Sequence, residues 1–115
     1  MESYVLEVPG GGIWNGESTE GAVRREVLEE AGQVVDNLVY LGRVFPAPGW
    51  DIETQFHFVA FCRSEVYEQS QDDSDTIDRI EVRIDEAPRL LENKDISDLK
   101  TRCIIHDTLR CLKKN

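Results

Sequence analysis

The segment between Gly10 and Gly32 constrains this chain more than any other part of it. It opens on the run Gly10-Gly11-Gly12 and closes on Gly32. Between them no proline interrupts Ser18 to Ala31, and Ala22, Val23, Val27 and Ala31 recur at helical spacing. The spacing predicts a helix over 18–31 with that stripe against a core. Glu17 and Glu20 sit at its positive end, and Gly32 supplies the stop; Gly21 weakens the first turn. Glu26, Glu29 and Glu30 stand at i, i+3 and i+4, so they share a second face. Two carboxylates about 6 Å apart repel by roughly 3 kcal/mol at an effective dielectric of about 20. Three of them facing protein call for a cation among them, and hard oxygen donors select magnesium, manganese or calcium over zinc or copper. The glycine run lets the backbone approach such an ion and offer carbonyl oxygens. Arg25 is placed to pair with Glu17 or Glu29 and steady them. Taken alone, a Glu-x-x-Glu-Glu face is most often a solvated one.

The remaining chain supplies the layers such a helix needs. Tyr4 to Val8 reads as a short strand, stopped by Pro9 and the glycines. Residues 35–45 read as a strand, followed by a rigid turn at Pro46-Ala47-Pro48-Gly49. Residues 54–63 read as a second strand. Phe56, Phe58, Ala60 and Cys62 lie on one side and His57, Val59 and Phe61 on the other, which predicts a central strand covered on both faces. Residues 64–78, with Glu65, Glu68, Asp72, Asp73, Asp75 and Asp78, read as an exposed acidic loop. Residues 79–84 alternate strictly and read as a strand. A short helix follows near 86–92, with Pro88 tolerated in its first turn. The last helix spans 97–112, with Leu99, Cys103, Ile104, Leu109 and Leu112 as its buried stripe. This order predicts a mixed α/β layered domain.

Composition narrows the function. A chain of 115 residues fits one domain, 1–115, and 40% hydrophobic with 31% charged residues fits a folded one. A net charge of −10 and the lack of a basic patch argue against nucleic acid as partner. A phosphorylated small molecule still fits an acidic protein if a metal bridges the two. No apolar run approaches the ~18 residues of a membrane span, and Met1-Glu2-Ser3-Tyr4 lacks the features of a signal peptide. The expected location is therefore the cytoplasm, with no membrane partner. Cys62, Cys103 and Cys111, odd in number and without metal-type spacing, are expected to be reduced and structural.

The segment from Gly11 to Gln33 resembles the Nudix box. That pattern is Gly, five residues, Glu, seven residues, Arg-Glu, an aliphatic residue, any residue, Glu-Glu, any residue, Gly and an aliphatic residue. Gly11, Glu17, Arg25, Glu26, Val27, Glu29, Glu30 and Gly32 all match, and only the last position departs, as Gln33. The resemblance implies an α/β/α sandwich around a mixed sheet, hydrolysing a nucleoside diphosphate linked to another group. It assigns Glu26, Glu29 and Glu30, with a carbonyl of Gly10 or Gly11, to Mg2+ (or Mn2+), and Glu29 or Glu30 to the general base.

Looser likenesses narrow the substrate. Pro46-x-Pro48-Gly49, Glu53 and His57-x-Val59-Ala60 resemble ADP-ribose and ADP-sugar pyrophosphatases, with Pro48 standing 15 positions after Gln33. Leu6-Glu7-Val8-Pro9-Gly10-Gly11 and Lys94 to Thr101 are similar to theirs as well. The likeness implies hydrolysis of ADP-ribose or an ADP-sugar to AMP and a sugar phosphate. Glu53 then contacts the ribose or a metal-bound water, and Trp14 or Trp50, beside Pro48-Gly49, stacks on adenine. In that subfamily a base often comes from an acidic loop, for which Asp75 and Asp78 are the candidates here. His57 and His106 read as packed or surface residues. Relatives carry further strands ahead of the segment at Tyr4–Val8. Without them a sheet edge stays open, which implies either a homodimer or a shortened form with an incomplete pocket. The alternatives are another substrate (a nucleoside triphosphate, dinucleoside polyphosphate or GDP-sugar) and a non-catalytic nucleotide-binding module.

Overall fold

The structure is a computed structural model that describes residues 8–46, 53–68, 79–92, 94 and 96–113. Its elements run α1 (Thr19–Ala31), β1 (Gln33–Val44), β2 (Gln55–Val66), α2 (Ala87–Glu92) and α3 (Leu99–Lys113). The chain divides into two compact units: Pro9–Tyr40 with Phe58–Ile80, and Met1–Val8 with Leu41–His57 and Glu81–Asn115.

In the first unit α1 follows its sequence signals closely. The Ser18 side chain accepts the N–H of Gly21, satisfying one of the donors a helix start leaves open. Gly32 ends the helix at φ 67°, ψ 28°, a left-handed conformation that favours glycine, and its N–H reaches Leu28 O at 3.0 Å. Val27, Ala31 and Val35 form the buried core of this unit, flanked by Val23, Leu38, Ala60 and Cys62. The apolar stripe of α1 thus meets the sheet, which leaves the Glu26-Glu29-Glu30 face free of the core.

β1 and β2 form a two-stranded sheet among the described residues. It is antiparallel, because Gly32 O accepts from Tyr67 N, Asp36 pairs with Arg63, and the tilted rings of Tyr40 and Phe58 meet with centroids 5.3 Å apart. β2 is not covered on both sides as its sequence suggested: Phe56 and Phe61 are exposed. Apolar residues on both faces report hydrophobicity, and cover depends on layers that the strand itself does not specify. β2 also runs through residues 64–66, which the acid-rich pattern had placed in a loop; a solvent-facing strand end tolerates such polar residues.

The second unit holds α2 and α3. Arg102 of α3 donates to Leu91 O at 2.6 Å, an open carbonyl near the end of α2, and to Ile96 O at 3.2 Å. Asp98 caps α3: its Oδ2 accepts from Thr101 N at 3.0 Å and Thr101 Oγ1 at 2.7 Å. Thr101 Oγ1 in turn accepts from Val8 N at 3.0 Å. Two expectations fail here. Leu99 is 66% exposed, and the fully buried position of α3 is Thr101. Residues 79–84 form no strand; they run through irregular backbone into a turn, with Ile80, Val82 and Ile84 exposed. Alternation alone makes no strand without a neighbour for its backbone groups. The strand expected at Tyr4–Val8 lies outside the described residues except for Val8, which is in none. No helix of the described residues is long and apolar enough to cross a membrane.

Candidate functional site

Arg25 is the hub of the glycine-run and α1 segment. Its Nε donates to Glu17 Oε2 at 2.9 Å and its Nη2 to Glu17 Oε1 at 3.0 Å, a two-pronged pair. Nη1 reaches Glu26 Oε1 at 2.6 Å and, more weakly, Glu29 Oε2 at 3.5 Å. Nη2 also donates to Gly12 O at 2.7 Å, tying the glycine run to the helix. The side chains of Arg25 and Glu26 are each only 14% exposed, so these bonds are largely sheltered from water. The hydrogen bond from Arg25 holds the Glu17 carboxyl below its usual range, helped by the Trp14 N–H. Glu17, with Glu26, raises the Arg25 guanidinium well above its usual value.

Two glutamates of α1 meet the glycine run directly. Gly10 N–H donates to Glu30 Oε2 at 2.9 Å. The Glu26 carboxylate lies so close over Gly11 that a Cβ there would overlap it. Glu26 and Glu30 are therefore brought to adjacent glycines of one loop, while Glu29, on the same helix face, reaches Arg25. The donors gathered here are carboxylates and backbone carbonyls, all hard oxygens, and that set fits magnesium or manganese. Among the described residues no three His, Cys, Asp or Glu side chains are gathered closely enough to hold an ion as they stand. Arg25 offsets part of this negative charge through its pairs with Glu17, Glu26 and Glu29.

Trp14 is in the same loop, its ring 3.8 Å from the Arg25 guanidinium carbon. Glu53 belongs to the other unit, where it accepts from Gln55 Nε2 at 3.3 Å. Pro48, Gly49, Trp50, Asp75 and Asp78 lie outside the described residues. His57 is buried in β2, its Nε2 2.9 Å from Gln55 Oε1 and its Nδ1 without a hydrogen-bond partner among the described residues, and burial pushes its pKa down. No sequence signal marks the roles of the Gly12 carbonyl and the Gly10 N–H, because backbone groups carry no residue-type signature.

The NUDIX domain family model matches residues 2–102. The chain belongs to the Nudix family. This Nudix chain is 28% identical over 102 residues to an ADP-ribose pyrophosphatase of Bacillus subtilis (strain 168), covering 88% of this chain and 55% of the relative. It is 29% identical over 102 residues, with the same coverage, to a methanol dehydrogenase activator of Bacillus methanolicus. The chain therefore spans about half the length of the curated relatives it matches.

Proposed function

We propose that this Nudix domain hydrolyses the diphosphate of ADP-ribose or an ADP-sugar, giving AMP and a sugar phosphate, with Mg2+ or Mn2+ as cofactor. The observation that carries the reading is the convergence of Glu26 and Glu30 on Gly10-Gly11 under the control of Arg25. Its support on the substrate side is the likeness to the Bacillus subtilis ADP-ribose pyrophosphatase.

In this reading Glu26, Glu29, Glu30 and a carbonyl of Gly10 or Gly11 hold the ion. When bound, it neutralises the diphosphate and makes water a stronger nucleophile. Arg25 fixes the carboxylates through its bonds to Glu17 and Glu26, so little reorganisation is left for the moment of reaction. Glu29 or Glu30 accepts the proton of the attacking water, with Asp78 a further candidate. Glu53 takes the ribose, and Trp14, Trp50, Pro48 and Gly49 take the adenine. The same reading includes the α/β/α sandwich, one domain over 1–115, and a cytoplasmic location, in keeping with Cys62 and Cys103 as free thiols. The reading includes a homodimer, and light scattering measures its mass.

The test is a substrate panel with magnesium: ADP-ribose, ADP-sugars, GDP-sugars, nucleoside triphosphates and dinucleoside polyphosphates, with phosphate release read through a coupled phosphatase. ADP-ribose or an ADP-sugar is expected to lead, and Glu30→Gln to abolish turnover. Full activity in Glu30→Gln removes the metal assignment. Tight ADP-ribose binding without turnover makes the chain a binding module instead.

A further inference from the structure

Arg25 has its hydrogen-bonding edges committed. Nε, Nη1 and Nη2 are shared among Glu17, Glu26, Glu29 and the Gly12 carbonyl. A planar guanidinium bonded around its rim still presents two faces, and aromatic rings stack on them. The Trp14 ring covers one of those faces at 3.8 Å. The arrangement is held from the backbone as well: Trp14 N–H donates to Glu17 Oε1 at 3.0 Å, and Glu17 N–H donates to Trp14 O at 2.9 Å. The indole is 61% exposed, so burial in a core does not account for its position. What the ring accomplishes in the described residues is the cover of Arg25, whose side chain is left only 14% exposed beneath it.

We propose that Trp14 is a positioning residue: its ring shields the Arg25 guanidinium, and through Arg25 it sets the Glu26 carboxylate over Gly11. This deepens the hydrolase reading and rests on it where Glu26 is taken as an ion ligand. Trp14 acts here through Arg25 and Glu26, not through substrate. Any stacking on adenine falls to the outer face of the ring, because the inner face is already occupied. An aromatic ring serves through its negative face as well as its bulk. Phe is therefore expected to replace Trp14 in part, and Leu, apolar but without that face, to fail.

The experiment uses the full chain without nucleotide, so outer-face stacking does not enter. The first measurement is hydrogen exchange of the Arg25 Nε–H by NMR in wild type, Trp14→Phe and Trp14→Leu. The second is Mn2+ affinity of the same proteins by electron paramagnetic resonance. Exchange is expected to be slow in wild type, intermediate in Trp14→Phe and fast in Trp14→Leu. Mn2+ affinity is expected to weaken roughly three- to tenfold in Trp14→Leu and less in Trp14→Phe. Wild-type exchange as fast as that of free arginine overturns the proposal without any variant. So does equal exchange in wild type and Trp14→Leu, or an Mn2+ affinity that Trp14→Leu leaves unchanged. If wild type takes up no Mn2+ at all, the link from Arg25 to an ion ligand falls with the hydrolase reading. The exchange series then decides the shielding of Arg25 on its own.

Discussion

The Glu26 carboxylate occupies the space directly over Gly11, where any side chain would have its Cβ. One glycine of the box thus decides where one glutamate of α1 can lie, across a sequence separation that neither residue bridges locally. Arg25 also holds Glu26, at 2.6 Å.

Gly11→Ala follows from that contact. The new methyl group displaces Glu26, and a misplacement of about 1 Å costs catalysis roughly 100-fold. Gly11 is exposed and outside the core, so the unfolding free energy is expected to change by less than about 1 kcal/mol. Paired measurement of kcat/KM and urea unfolding checks both parts. A fully active Gly11→Ala enzyme contradicts the placement of Glu26 in the site.

Arg25→Lys keeps the charge and loses the fork. Lysine cannot hold both Glu17 oxygens, Glu26 and the Gly12 carbonyl at once. Turnover is expected to fall about tenfold or more. The Glu17 carboxyl is held below its ordinary value of 4.5 by the hydrogen bond from Arg25. A lowered folded value means that the pairing stabilises fully above about pH 4.5 and is lost as pH falls through the folded value. Unfolding measured down this acid limb is expected to show a shallower pH dependence in Arg25→Lys than in wild type.

Gly32→Ala tests the junction of α1 and β1. At φ 67° a side chain is strained, and here its Cβ would also overlap the Tyr67 carbonyl oxygen, a backbone atom that cannot swing aside. The strain alone is worth about 1–2 kcal/mol, and the overlap adds to it. Thermal and urea unfolding are expected to show at least that loss. A neutral substitution contradicts the close pairing of Gly32 with Tyr67.

His57 predicts a pH dependence of a different origin. Burial lowers its pKa from the ordinary 6.5, the Lys100 charge adds to this, and Asp107 opposes it. The folded protein therefore holds His57 neutral at a pH where the unfolded chain is already taking up the proton. Stability is full above about pH 6.5 and declines as pH falls toward the folded value. Urea unfolding at pH 7.5 and 5.5 is expected to show the decline in wild type and a smaller one in His57→Gln. Equal declines in both proteins rule out His57 as the cause.

Much of α1 was legible because its determinants are local. A cap at Ser18, a stop at Gly32 and an apolar stripe at helical spacing act within a few residues of one another. Their agreement also placed Glu26, Glu29 and Glu30 on a face separate from the core. The failures share the opposite property. Residues 79–84 have the alternation of a strand, but pairing requires a neighbour that the pattern does not name. Leu99 has the spacing of a buried residue, but the cap at Asp98 turns Thr101 inward instead, to meet Val8 from the far end of the sequence. Lys94 to Thr101, the family-like stretch, includes the Asp98 cap and the first turn of α3.

By itself the sequence determined the family box, the bounds of its helix, and the residues whose carboxylates share a face. Those follow from spacing along one chain, since helical geometry converts a list of positions into directions. Only the tertiary structure decided what those carboxylates meet: Arg25 across Glu17, Glu26 and the Gly12 carbonyl, Glu30 on the Gly10 N–H, Glu26 over Gly11, and Trp14 over the guanidinium. Side chains with several rotatable bonds and more than one partner in reach are resolved by the surfaces that fold around them, and their choice is written in no residue taken alone.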